Sequence, residues 1–108
     1  VRRKLGVKVI RHSDVATPGV RRVAVCTGAG GSLLGEALRA GAELYLTADL
    51  KYNDFMAPSG RLTVADIGHF ESEYCAIEIL FEIFSKNLRT FAVRKSRCSC
   101  NPVNYLCL

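Results

Sequence analysis

Residues 23–32 read VAVCTGAGGS, and they join an apolar run to a glycine-rich turn. The run from Arg22 to Cys26 is short and apolar, which is typical of a buried β-strand. Ser32 is a favourable residue to cap the start of a helix, and Gly41 is a favourable residue just past its end. Leucine and alanine side chains between these two residues share one helical face. The stretch therefore predicts a strand, a tight turn and a helix.

The same alternation of strand and helix patterns continues along the chain. The predicted strands are Leu5 to Ile10, Arg22 to Cys26, Glu43 to Thr47, Leu62 to Ile67 and Phe91 to Arg94. A long helix is predicted from about Gly68, with an apolar stripe made of Ile77, Leu80, Phe81, Phe84 and Leu88. Parallel strands need crossover connections, and the crossovers place helices on the faces of the sheet. We therefore expect an α/β fold, a three-layer sandwich whose mostly parallel or mixed sheet is flanked by helices.

The chain has 108 residues, of which 49% are apolar and 23% are charged. This composition excludes a disordered chain, a coiled coil and collagen, and the length predicts a single α/β domain over residues 1–108. Fifteen Lys and Arg residues against ten Asp and Glu residues give a net charge of +5. We expect no nucleic-acid partner, because the basic stretches lack the interleaved aromatic residues of a single-strand binder.

The spacing of the cysteines and the length of the apolar runs indicate the cellular compartment. The five cysteines are irregularly spaced and include no Cys-x-x-Cys pair; they are Cys26, Cys75, Cys98, Cys100 and Cys107. No apolar run reaches the roughly 18 residues that cross a bilayer, and the first residues lack the apolar core of a secretory signal. We expect free thiols, no membrane partner and a cytoplasmic location.

The strongest local cluster of chemically active residues lies in residues 66–73, which read DIGHFESE. His69 and Glu73 are four residues apart on the predicted helix, so their side chains project from the same face. An imidazole and a carboxylate at this spacing can share a divalent ion, and the helix dipole at this end disfavours imidazolium. The spacing equally suits a hydrogen bond between the two side chains or an interaction of Glu73 with the helix N-terminus. Two ligands are fewer than catalytic metal sites take, so a metal site needs donors from another segment or another chain.

Two other turns follow predicted strands. Gly28, Gly30 and Gly31 form a loop whose backbone N–H groups could bind an anion. The third glycine of a dinucleotide-binding loop is missing, which favours a tight turn that needs small residues. Asp49 and Asp66 are candidates to position other groups, although Asp49 is equally explained as a helix N-cap.

Four motifs occur in order along the chain. They are residues 23–32 (VAVCTGAGGS), 45–54 (YLTADLKYND), 66–73 (DIGHFESE) and 101–105 (NPVNY). Together they resemble the C-terminal half of the Nif-three-like family, also called type 2 homologues of GTP cyclohydrolase I. Because the resemblance covers one half of the family fold, we expect the chain to be a fragment of a longer protein. The chain has Ala48 and Asn53 where the family commonly has glycine and histidine, which removes a titratable group.

This resemblance implies a ring-shaped hexamer with two divalent metal ions per site in the full-length parent. His69 and Glu73 match the His and Glu ligands of the family's C-terminal half, whereas the N-terminal ligands have no match here. The residues do not distinguish zinc, iron and manganese. The implied function is that of a metal-dependent hydrolase with unidentified catalytic residues. The alternative is a non-catalytic assembly or protein-interaction module in which the His–Glu pair is structural.

Overall fold

The computed structural model describes residues 1–106 and 108. The chain divides into two compact units, Val1–Glu73 and Tyr74–Leu108. The first unit contains a sheet with short helices, and the second contains one longer helix.

A four-stranded sheet is the centre of the first unit. Its strands are β1 (Arg11–His12), β2 (Val23–Ala29), β3 (Leu44–Ala48) and β4 (Thr63–Asp66), and they lie in the order β1-β4-β3-β2. Strands β2, β3 and β4 are parallel, whereas β1 pairs with β4 in the antiparallel direction. The sheet is therefore mixed, and the predicted α/β fold is confirmed.

Short helices precede, connect and follow the strands. They are α1 (Arg2–Leu5), α2 (Leu34–Arg39), α3 (Tyr52–Met56) and α4 (His69–Glu73), and a single 3-10 turn (Gly31–Leu33) precedes α2. Tyr45 and Val64 lie side by side on β3 and β4 and point into the core. The buried cluster consists of Leu34, Ala37, Ala42, Tyr45, Leu50, Leu62 and Val64. Removal of this apolar surface from water stabilises the first unit.

Two of the predicted strands do not form. Leu5 ends α1, and Gly6 follows it in a left-handed conformation with φ 68°, so pairing with β4 starts only at Arg11. The segment from Phe91 to Arg94 has no partner, because the described residues of the second unit contain no other strand. A strand needs a hydrogen-bonding neighbour, and a local sequence pattern does not supply one.

The single long helix predicted from Gly68 is two helices. α4 ends at Glu73, and α5 (Cys75–Asn87) begins after Tyr74. At the junction the N–H of Ile77 donates to the carbonyl of Tyr74 at 3.2 Å, a bond that spans three residues instead of four. α5 buries none of its side chains, and Leu80, Phe84 and Leu88 are 48%, 43% and 43% exposed. The apolar stripe therefore predicted a helix correctly, although that helix begins at Cys75 and not near Gly68.

Within the part of the chain that the structure describes, no helix combines the length and the apolar character that a membrane crossing requires. Cys26, Cys98 and Cys100 are free thiols, as predicted. The same prediction for Cys107 lies outside the described residues.

Candidate metal centre

The carboxyl ends of the three parallel strands meet at one edge of the sheet. Ala29 at the end of β2 lies beside Ala48 at the end of β3, and Thr47 lies beside Asp66 at the end of β4. The loops that follow these strands are therefore brought together at this edge, where α/β proteins commonly bind ligands.

His69 and Glu73 occupy the two ends of α4, and their side chains meet as the spacing predicts. The imidazole Nε2 lies 3.1 Å from Oε2 of Glu73, and the two side chains are 49% and 50% exposed. The pair is therefore accessible from solvent. The distance suits a hydrogen bond and also suits two donors that share an ion.

Asp49 approaches the other nitrogen of the same imidazole. Its Oδ2 lies 2.6 Å from Nδ1 of His69. Asp49 has φ 54°, in the left-handed region that few non-glycine residues adopt. It does not cap a helix: α3 begins at Tyr52, and Asp54 accepts the N–H of Lys51 at 2.8 Å. The N-cap interpretation of Asp49 is therefore wrong, and its carboxylate contacts His69 instead.

The two carboxylates alter the titration of the imidazole between them. The hydrogen bond to Asp49 is the main reason that the pKa of His69 lies above its ordinary value. Desolvation acts in the opposite direction, and the negative charge of Glu73 raises the pKa further. The expectation that the dipole of a long helix disfavours imidazolium is wrong here, because α4 has only five residues and its His69 contacts two acids.

Gly28 leaves the space that this His–Glu pair occupies. Its φ is 64°, and a Cβ built there would lie 2.4 Å from Oε1 of Glu73 and 3.3 Å from Nε2 of His69. Its N–H donates to Oγ of Ser72 at 2.9 Å, and its carbonyl accepts from Oγ1 of Thr47 at 3.1 Å. The Gly28 peptide is thus held from two sides, next to the candidate ligands.

The other two glycines of this loop also lie in close packing. A Cβ on Gly30 would lie 2.1 Å from Oγ1 of Thr47, and one on Gly31 would lie 3.1 Å from Oδ2 of Asp54. The carbonyl of Gly30 accepts the hydroxyl of Tyr45 at 2.8 Å. These contacts explain why a tight turn with small residues is needed here. Anion binding by the loop stays a prediction.

Ser72 and Thr47 hold the Gly28 peptide beside the candidate ligands, and the sequence pattern did not predict this role. Both are buried, with exposed fractions of 2% and 0%. Ser72 also donates to the carbonyl of His69 at 2.8 Å, so its hydroxyl joins α4 to the Gly28 loop. Its position three residues after His69 was the available signal, but a serine at this spacing is more common on an exposed helix face.

Asp66 is buried at the end of β4 and binds backbone groups, not the imidazole. Oδ2 accepts the N–H of Leu50 at 3.1 Å, and Oδ1 accepts the N–H of Gly68 at 3.0 Å. The guanidinium of Arg11 pairs with Oδ2 and also donates to the carbonyl of Leu50 at 3.1 Å. Asp66 therefore fixes the residue that follows Asp49 and the residue that precedes His69.

The donor set fits a divalent metal ion, although it is incomplete. Two donors that bind one ion at about 2.0–2.2 Å lie roughly 3 Å apart, as Nε2 of His69 and Oε2 of Glu73 do at 3.1 Å. Imidazole and carboxylate donors suit zinc, iron and manganese alike. Asp49 lies at the opposite side of the imidazole, and among residues 1–106 and 108 no three His, Cys, Asp or Glu side chains form a metal-binding group.

Two similar proteins carry the name "GTP cyclohydrolase 1 type 2 homolog". The one from Campylobacter jejuni is 38% identical over 74 residues, which cover 68% of this chain and 30% of that protein. The one from Mycobacterium tuberculosis is 39% identical over 89 residues, which cover 77% of this chain and 23% of that protein. The chain thus spans less than a third of the length of these curated relatives.

Solved structures resemble nearly the whole chain. A Staphylococcus aureus hypothetical protein superposes with a TM-score of 0.82 at 23% identity, over 97% of this chain and 36% of that chain. A Bacillus cereus protein described as related to NIF3 gives a TM-score of 0.77 at 25% identity, over 97% and 30%. The family model Duf34/NIF3 (NGG1p interacting factor 3) matches residues 1–102. Since this match takes in almost all of the 108 residues, the chain belongs to the Duf34/NIF3 family.

Proposed function

We propose that His69 and Glu73 are ligands of a divalent metal centre and that the protein acts as a metal-dependent hydrolase. The observation that supports this proposal is the approach of Nε2 of His69 to Oε2 of Glu73 at 3.1 Å on an accessible face. The names of the relatives, "GTP cyclohydrolase 1 type 2 homolog", are consistent with hydrolytic chemistry. Those names describe proteins more than three times as long as this chain's matched segment.

The Nδ1–H tautomer of His69 would leave Nε2 able to bind a cation beside Glu73. A carboxylate only accepts hydrogen bonds, so the 2.6 Å contact with Asp49 requires a proton on Nδ1 of His69. When the imidazole is neutral, Nε2 therefore faces Glu73 with a lone pair. Two electron-pair donors 3.1 Å apart repel each other unless a proton or a cation lies between them.

A bound divalent ion would supply Lewis-acid chemistry, which polarises the group that is hydrolysed. His69 and Glu73 would hold that ion, and Gly28 leaves room for the Glu73 carboxylate. Two protein donors leave further coordination positions to be filled. We propose that other segments or further copies of the chain fill them, in a hexameric ring with two ions per site, as the family resemblance implies.

The first experiment measures binding of Mn²⁺ alone to the chain by electron paramagnetic resonance, in which bound Mn²⁺ is distinguished from free Mn²⁺. Manganese is chosen because oxygen and nitrogen donors suit it, whereas zinc would also bind the free cysteines. We expect the wild-type chain to bind Mn²⁺ only weakly, because two protein donors leave the site incomplete. We expect the double variant His69→Ala, Glu73→Gln to lose at least about tenfold of that affinity.

A matched control replaces the same residue types elsewhere. His12 lies on β1 and contacts the carbonyl of Ser13, and Glu82 is exposed on α5. The variant His12→Ala, Glu82→Gln is expected to bind Mn²⁺ like the wild type. Equal Mn²⁺ binding by the wild type and the His69, Glu73 variant would overturn the proposed ligands and support the structural role of the pair.

A further inference from the structure

We propose that Asp49 is a positioning residue that fixes the tautomer of His69, so that Nε2 is the nitrogen presented beside Glu73. This inference rests on the proposed metal centre. It gives a positioning role to the carboxylate of Asp49, which is not one of the proposed metal ligands. Three sets of contacts support it.

The first is the contact between Asp49 and His69 itself. Oδ2 of Asp49 lies 2.6 Å from Nδ1, whereas Oε2 of Glu73 lies 3.1 Å from Nε2. The shorter contact marks the stronger hydrogen bond, because charge-assisted bonds shorten as they strengthen. A neutral imidazole has one proton to donate, and the geometry places that proton on the Asp49 side. Metal-binding histidines commonly donate their other N–H to a carboxylate in this way, which orients the ring.

The second is the backbone of Asp49, which is held in a conformation that most residues avoid. Its φ of 54° lies in the left-handed region, and its neighbours Ala48 and Leu50 are buried, with exposed fractions of 0% and 3%. Such conformations persist only where surrounding contacts enforce them, and they cluster at functional sites. The backbone turn directs the carboxylate towards the imidazole.

The third is that the side chain of Asp66 anchors the backbone next to both Asp49 and His69. Asp66 accepts the N–H of Leu50, next to Asp49, and the N–H of Gly68, next to His69. Arg11 donates to the carbonyl of Leu50 and pairs with Asp66. The spacing between the Asp49 loop and the start of α4 is thus set by a buried carboxylate, which keeps the Asp49–His69 contact short.

Long-range ¹H–¹⁵N NMR of the metal-free chain determines which imidazole nitrogen of His69 carries the proton, at a pH where the ring is neutral. The chain contains two histidines, so a His12→Ala variant assigns the signals. We expect the wild type to show one tautomer, with the proton on Nδ1. In Asp49→Gly, which removes the carboxylate and suits the left-handed backbone, we expect this single tautomer to be lost.

The conservative variant separates positioning from loss of structure. Asn tolerates the same backbone conformation, and its amide oxygen can still accept a proton from Nδ1. We therefore expect Asp49→Asn to restore the Nδ1–H tautomer. In Mn²⁺ titrations we expect Asp49→Gly to lose about 10- to 100-fold in affinity and Asp49→Asn to recover part of it. Asp14→Gly, at an exposed aspartate elsewhere, is expected to match the wild type in both measurements.

The two proposals fail in different ways. A wild-type chain with the Nδ1–H tautomer but no Mn²⁺ binding would overturn the metal centre and leave the positioning by Asp49 supported. A wild-type chain that binds Mn²⁺ but keeps its His69 tautomer and affinity in Asp49→Gly would overturn the role of Asp49 alone.

Discussion

The carboxyl edge of the sheet and the segment after Tyr74 are organised by different interactions. At the sheet edge, buried polar side chains hold backbone groups: Thr47 and Ser72 bind Gly28, and Asp66 binds two neighbouring loops. After Tyr74, a characteristic contact is that of Lys95 with both carboxylate oxygens of Glu78 at 2.8 Å, between partly exposed side chains. Buried hydrogen bonds fix atomic positions more strictly than solvated ion pairs do. The positional accuracy that a metal centre needs is therefore available at the sheet edge.

The largest expected effect comes from Asp66→Ala. The variant leaves the N–H groups of Leu50 and Gly68 without their acceptor, and it removes the partner of Arg11. We expect the free energy of unfolding to fall by about 2–4 kcal/mol, because unsatisfied buried donors retain their desolvation cost. Urea unfolding followed by circular dichroism measures this change.

The matched variant in the other region is Lys95→Ala. It removes the ion pair with Glu78 and the contact of the ammonium with the Phe81 ring, whose centroid lies 5.0 Å away. We expect a loss below about 1 kcal/mol, because exposed ion pairs contribute little. Similar losses for Asp66→Ala and Lys95→Ala would remove the distinction between the two regions.

A smaller change in stability, with a clear change in binding, is expected for Gly28→Ala. The new Cβ would overlap Oε1 of Glu73 and would lie on a backbone with φ 64°. Stability should fall by about 1–2 kcal/mol from the left-handed backbone alone, and Mn²⁺ binding should fall to the level of the variant that lacks the ligands. Thermal unfolding and Mn²⁺ titration measure the two effects.

Gly60→Ala provides the control for backbone strain. Gly60 has φ 74°, and a Cβ added there would meet no atom of a more distant residue within 4 Å. The variant should show a similar loss of stability with unchanged Mn²⁺ binding. If Gly28→Ala binds Mn²⁺ as Gly60→Ala does, the space beside Glu73 is not required for the metal.

The smallest effect concerns the pH dependence of the sheet edge. Because Asp49 raises the pKa of His69, its NMR titration in the metal-free chain should have a midpoint above the ordinary value of about 6.5. The corresponding stabilisation is fully present below the unfolded pKa and is lost as pH rises through the folded pKa. Mn²⁺ binding should show the opposite trend and weaken as pH falls, since protons compete for Nε2.

The Asp49→Gly variant tests the cause of this shift. The hydrogen bond to Asp49 is its largest contribution, so the midpoint should move down when the carboxylate is removed. A midpoint that does not move would assign the shift to Glu73 instead.

The sequence predicted the central strands and the His69–Glu73 pair because local and tertiary requirements coincide there. The apolar runs of β3 and β4 are strands and are buried in the sheet, and a spacing of four residues on α4 brings the two side chains together. The family resemblance, from motifs on these same loops, is confirmed by the family model over residues 1–102.

Other features could not be predicted because they depend on distant partners. The strand from Phe91 to Arg94 does not form because it has no neighbouring strand, and Leu80 and Phe84 on the apolar stripe of α5 are exposed. Asp49 fits the pattern of a helix cap, and only the fold shows that the imidazole of His69, 20 residues later, is its partner. The role of Ser72 likewise depends on a loop 44 residues away.

The pairing of Arg11 with Asp66 has a consequence for dynamics. Arg11 belongs to a two-residue edge strand, yet it reaches the side chain that holds the amides of Leu50 and Gly68. Both amides depend on the one carboxylate that Arg11 pairs with, so we expect their exchange with solvent deuterium to be correlated. The two-residue edge strand thereby contributes to the order of the distant histidine loop.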